Sequence, residues 1–183
     1  MRKTTWLVMI VLAISCIFVA QAVAGDHQYI GAAKCKTCHK GPKKGEVYEK
    51  WTASKHAKAY ETLASDKAKE VAKAKGIEDP QKADACLKCH VTGHGSKAEM
   101  LGKKYAATDG VTCESCHGAG GDYWKMKTMK SLAAGETKPA DVGLLKPDEK
   151  TCVTCHNEES PTFAGFKYDE MWAKIDHSIK AAE

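Results

Sequence analysis

One five-residue unit recurs four times in this 183-residue chain. It reads CKTCH at Cys35–His39, CLKCH at Cys86–His90, CESCH at Cys113–His117 and CVTCH at Cys152–His156. Of the nine cysteines, all but Cys16 belong to such a unit. CxxCH is the attachment signature of c-type haem. The spacing follows from the chemistry. Two thiols add across the two vinyl groups on one side of a porphyrin, so they must stand about one helical turn apart. The histidine that follows falls under the iron and supplies its proximal nitrogen. Disulfides, the ordinary use of cysteine in an exported chain, need no histidine after every second cysteine. Zinc ribbons use paired CxxC knuckles and have no reason to repeat the histidine four times. The pattern predicts four covalent haems, held by Cys35, Cys38, Cys86, Cys89, Cys113, Cys116, Cys152 and Cys155. His39, His90, His117 and His156 are their expected proximal ligands.

Export is expected from the start of the chain. Arg2 and Lys3 precede an apolar run from Trp6 to Ala20, and Ala22-Val23-Ala24 suits signal peptidase. No cationic stop follows that run, which argues against a retained membrane anchor. Lipidation at Cys16 is disfavoured because Ala13-Ile14-Ser15 poorly matches a lipobox. The expected organisation is a signal peptide over 1–24 and a single tetrahaem domain over 25–183. The product is expected to be periplasmic, with the cell surface or exterior as alternatives.

Only 7% of the residues are aromatic and mean hydropathy is −0.43, so a core built from side chains alone would be thin. The fold class predicted is a small, mainly α multihaem cytochrome in which the haems form much of the core, with little or no β-sheet. The formal charge of +5 is no argument for nucleic acid. It includes Arg2 and Lys3, and four haems, each with two propionates and one positive charge left on ferric iron, add about −4 in the oxidised state. Glu46 to Lys75, rich in Ala, Lys and Glu, reads as a helix stopped by Gly76. Tyr168 to Ala182 reads as a second helix, with Tyr168, Met171, Trp172, Ile175 and Ile179 on one stripe. The stretches 93–110 and 118–121 read as loops, and Lys138 to Pro147 as an extended connector.

What occupies the sixth position of each iron decides the chemistry. Two histidines give a low-potential haem suited to electron transfer, methionine raises the potential, and an open position admits ligands. Four of the eight histidines lie outside the motifs: His27, His56, His94 and His177. His56 is flanked by the small Ala53, Ala57 and Ala59, which let a flat ring approach. His177 lies off the apolar stripe but between Ala173 and Ala181, a low-relief patch for a porphyrin. His27 sits near the expected new N-terminus, where fraying, ligation within the chain and ligation in a neighbouring subunit all stay open. His94, four residues after His90, has too little chain to round the edge of the same porphyrin. As a ligand it would have to cap another haem.

The runs GAAKCKTCHK, SKHAKAYETL, CLKCHVTGHG, GVTCESCHGAGG and FKYDEMWAKIDH resemble the cytochrome c-554 family over most of the expected mature chain. The resemblance implies a mainly helical fold, four haems in closely packed stacked pairs, and electron transfer in the periplasm. The best-known members of the family take electrons from hydroxylamine oxidoreductase. It also implies that His56 caps the fourth haem and His177 the third. The family has a histidine shortly after the third motif that caps the first haem. Here GAGGDYWKMKTM has none and offers only Lys125, Met126 or Met129. The family's second haem has no protein sixth ligand, and its position corresponding to His94 is often aromatic. Against that pattern the preferred place for His94, as a ligand, is the first haem, in lieu of the missing histidine, which leaves the second to His27 or to nothing.

Electron transfer between redox-protein partners is the leading expectation, with no catalytic residues. One alternative is a small nitrogen-oxide-type reductase acting at a five-coordinate haem, for which Asp122, Tyr123 and Lys125 are the available acid–base groups. The other is a homo-oligomer or extracellular filament in which His27 caps a haem of the next subunit.

Overall fold

A computed structural model describes residues 27–178. The expected signal peptide, Cys16, the cleavage site, Ile179 and Ala181 lie outside the described residues. Nine short α-helices make up the regular structure described: α1 Ala32–His39, α2 Val47–Ala53, α3 Ala59–Thr62, α4 Asp66–Ala74, α5 Asp84–His90, α6 Cys113–His117, α7 Met126–Ala133, α8 Glu149–Val153 and α9 Tyr168–Ile175. Among the described residues there is no strand, only an isolated parallel bridge between Tyr29 and Leu101. The mainly helical expectation holds. None of the described helices is long and apolar enough to cross a membrane.

The expected helix over Glu46–Lys75 is three helices. Ser65 caps α4 by accepting the Ala68 N–H at 3.2 Å, and Ser54 takes the Ala57 N–H at 3.4 Å. Each serine offers the backbone a local alternative to continuing the helix. The break between α2 and α3 is also held from outside, where Val111 N–H donates to the His56 carbonyl at 3.0 Å. Gly76 does end α4: its φ is +70°, and the Gly76 and Ile77 amides return to Lys73 and Ala72. At the far end of the chain, α9 stops at Ile175, so His177 stands on the coil beyond it. The helical-face argument for that histidine does not apply.

The apolar core is thin, as the composition predicts. Its buried members are Ile30, Ala32, Leu63, Ala72 and Val91, with no aromatic among them. Much of the cross-linking between segments is polar. Glu114, inside the third motif and 2% exposed, accepts the Ile30 N–H at 2.9 Å, the Gly31 N–H at 2.8 Å and the Gly120 N–H at 2.7 Å. One carboxylate therefore joins the third motif to the strand of chain leading into the first. Gly31 is required there, since its φ is +84° and a Cβ would overlap the Lys104 carbonyl. Thr92, just beyond the second motif, does the same for that motif. Its hydroxyl donates to the Gly110 carbonyl at 3.0 Å, accepts the Thr112 N–H at 2.7 Å and lies 2.7 Å from the Ser115 hydroxyl.

Candidate functional site

All four CxxCH units sit on or at the end of short helices: α1, α5 and α6 each end on their motif histidine, and α8 runs through Cys152 with His156 just beyond. Thr112 caps α6, and Asp148 with Thr151 forms a capping box on α8. A helical turn between the cysteines turns both thiols to one side, as addition to one porphyrin edge requires.

The thiols of different motifs come together in two pairs. Cys35 and Cys113 share a hydrogen bond, which together with burial pushes Cys35 far above the ordinary thiol range. Cys89 is pushed up to about 11 by burial and by the neighbouring Cys155. Cys116 also rises to about 11, through burial and then the nearby Cys152, Cys113 and Cys155. The first motif thus adjoins the third, the second adjoins the fourth, and Cys116 brings the third beside the fourth as well.

The histidines pair as well. The His56 and His156 rings have centroids 6.0 Å apart with planes at 65°, and those of His117 and His177 are 5.9 Å apart at 73°. Two imidazoles on opposite faces of one metal have centroids roughly 6 Å apart, from two metal–nitrogen bonds of about 2.0–2.1 Å plus the ring radii. His117 Nδ1 donates to the Leu145 carbonyl at 3.4 Å, and His177 Nδ1 to the Ile175 carbonyl at 2.9 Å. Each Nε2 of that pair keeps its lone pair for a metal, the arrangement found in metal-bound histidines. Burial pushes the His56, His117 and His156 imidazoles below the ordinary histidine range, favouring the neutral form that binds metal. Phe166 stacks on His156 at 4.9 Å and fixes that ring.

A cavity of about 860 Å³ opens between these groups. Cys35, His39, Cys113, Cys116, His117 and His177 reach it, with His56 and Trp51 at one side. Leu144, Leu145, Pro139 and Pro147 supply an apolar wall. A volume of this size, with apolar walls and convergent metal-binding nitrogens, suits a flat aromatic cofactor. The residues present therefore fit haem.

His39 and His90 differ from the paired histidines. Among the described residues neither has another imidazole against its ring. His90 Nδ1 donates to the Ala59 carbonyl at 2.7 Å, so its Nε2 is the available nitrogen. His39 is held below the ordinary range by burial, then by the charges of Lys44 and His177. Neither His27 nor His94 reaches the cavity. His27 Nδ1 donates to Asp122 at 2.6 Å, and its ring lies so close to Gly143 that a Cβ there would overlap it. His94 donates Nε2, not Nδ1, to Asp84 at 3.0 Å. Asp122, Tyr123 and Lys125 do not line the cavity either; the Tyr123 hydroxyl donates to the Gly118 carbonyl at 2.6 Å.

Glu114 and Thr92 were not evident as joints from sequence. An acidic residue between two haem cysteines reads as surface, and only the three amides aimed at it reveal its task. Phe166 likewise carried no motif.

A family model described as cytochrome c554 and c-prime matches residues 34–118. Cytochrome c-554 of Nitrosomonas europaea is 32% identical over 183 residues, covering 92% of this chain and 75% of that protein. No solved structure matches the chain.

Proposed function

The chain belongs to the cytochrome c-554 family of multihaem c-type electron carriers, and from that premise we propose that it passes electrons through four haems between a donor and an acceptor redox protein outside the cytoplasm. One haem is attached at each CxxCH unit. His156 and His56 would hold the iron of the fourth motif, and His117 and His177 that of the third. The observation that carries this reading is the pair of histidine contacts at 6.0 and 5.9 Å, each joining a motif histidine to one from outside the motifs.

The haem supplies a centre that gains or loses one electron without rearranging its ligands when both axial positions are filled. The chain supplies the rest. The carbonyls of Leu145 and Ile175 orient His117 and His177, and Phe166 holds His156 in place. The apposed thiols of Cys35 with Cys113, and of Cys89 with Cys155, support haems grouped as first with third and second with fourth. Such spacing shortens each electron-transfer step within a group. A reductase would need acid–base groups at an open iron, and Asp122 and Tyr123 are bonded elsewhere. A filament would need His27 to reach a neighbouring subunit, whereas its ring is held by Asp122 and packed on Gly143 of its own chain.

Intact-mass measurement of the purified protein, with optical quantification of haem, is expected to give four haems per chain and a sequence beginning near Gly25. Fewer than four haems would overturn the reading.

A further inference from the structure

The first motif presents an imidazole, His39, to the large cavity with no second imidazole opposite it among the described residues. The other two non-motif histidines at that cavity, His56 and His177, lie against His156 and His117. A different donor faces the same space. Of the lysines and methionines in the stretch after the third motif, Lys125, Met126, Lys127 and Met129, only Met129 lines the cavity. Met126 is 53% exposed and lies outside it, and Lys125 is the exposed residue preceding α7.

The position of α7 is fixed against the first motif. Lys34, on α1, stands over the Trp124 ring at 4.4 Å, two residues before α7 begins. The loop leading to Trp124 is tied down by the Gly120 amide on Glu114 and by the Trp124 amide on the Gly120 carbonyl. The same Glu114 holds Ile30 and Gly31 at the start of α1. One carboxylate therefore sets the distance between the helix carrying His39 and the helix carrying Met129.

Other polar side chains on this cavity are poor competitors. Lys50, Lys146 and Lys174 also line it, but an ammonium has no lone pair to offer a metal. Burial pushes the Tyr48 hydroxyl above its ordinary value. A thioether needs no deprotonation, and its unbranched side chain adapts to the space available.

We propose that the Met129 sulfur is the sixth ligand of the iron held by His39, in the haem attached at Cys35 and Cys38. This rests on the four-haem reading above. The first haem is then a His/Met centre of higher potential than the two bis-His centres, so an electron entering the group settles there.

The test compares the holoprotein with Met129→Leu, Met129→His and His94→Ala variants, each first checked by intact mass for four haems. Wild type lacking four haems would be a failure of the four-haem reading, separate from this one. Oxidised wild type is expected to show the far-red absorption band of sulfur bound to ferric iron. Met129→Leu is expected to lose that band and to gain one high-spin haem by electron paramagnetic resonance. Met129→His is expected to lose the band, keep the wild-type spin count and move one reductive step to lower potential. Should Met129→Leu fail to retain four haems, Met129→His decides alone. An unchanged band and unchanged potentials in Met129→His, or a new high-spin haem in His94→Ala, would overturn the proposal.

Discussion

The third and fourth motifs differ from the first and second in what faces their histidines. His117 and His156 each meet an imidazole from a distant part of the chain, whereas His39 and His90 do not among the described residues. The partner histidines share a structural situation. His56 lies in the break between α2 and α3, and His177 lies beyond the end of α9. Coil positions can aim a ring where a helix would force it along a fixed face, but coil must be held by something else. For His56 the holding groups are the Val111 amide on its carbonyl and the Trp51 indole, which donates to the Val111 carbonyl at 2.9 Å. For His177 it is its own Nδ1 bond to Ile175. The lesson is that the histidine pairing here is specified by how irregular segments are tied, and the motif helices alone do not specify it.

The largest way to break the distinction is to remove the joint that both sides share. Glu114→Ala leaves the Ile30, Gly31 and Gly120 amides without their acceptor. It is expected to cost about 3 kcal/mol or more, a large part of the roughly 5–15 kcal/mol of a typical domain. Denaturant unfolding of the holoprotein checks this, and loss of axial ligation should begin at the first and third haems. Next in size, removing one partner ring should make a paired centre resemble an unpaired one. His56→Ala and His177→Ala are each expected to raise one reductive step by on the order of 0.1 V, within the ~0.8 V that axial ligands span. Potentiometric titration would read it, and a profile identical to wild type would deny the ring its role.

Thr92→Val tests the joint between the second and third motifs. With a buried hydroxyl making three contacts, it is expected to cost about 1–3 kcal/mol without changing any haem's spin state. A changed spin state would mean that Thr92 positions a ligand as well. The smallest effect belongs to Asp148, the exposed cap of α8. Its bonds to the Thr151 amide and hydroxyl hold the carboxyl below 3.8. A carboxyl whose folded value is depressed contributes stability above its unfolded value and loses it as pH falls through the folded one. Asp148→Asn should therefore lower the melting temperature slightly at neutral pH, and the difference from wild type should shrink below pH 3.8.

Membership of a c-type cytochrome family was legible because CxxCH is a local code in the sequence. The resemblance implied that His56 caps the fourth haem and His177 the third, and in the structure their rings lie against His156 and His117. Physical reasoning from the sequence did less well on His177, since it assumed a helix that ends two residues too early. Ser54 and Ser65 signalled that the Glu46–Lys75 helix would break, yet a serine in an Ala/Lys-rich run is ambiguous until an outside contact, here Val111 on His56, favours the break. Glu114 and Thr92 could not be read at all. Their partners are backbone amides and carbonyls supplied by segments up to 84 residues away, and backbone groups carry no sequence signature. His94 shows the same limit from the other side, because the bond from its Nε2 to Asp84 depends on how the loop after α5 turns back.

Electron paramagnetic resonance of a His56→Ala/His177→Ala double variant tests the paired centres most directly. The account predicts four haems by mass and two more high-spin haems than in oxidised wild type. A spectrum with the wild-type number of high-spin haems would contradict it.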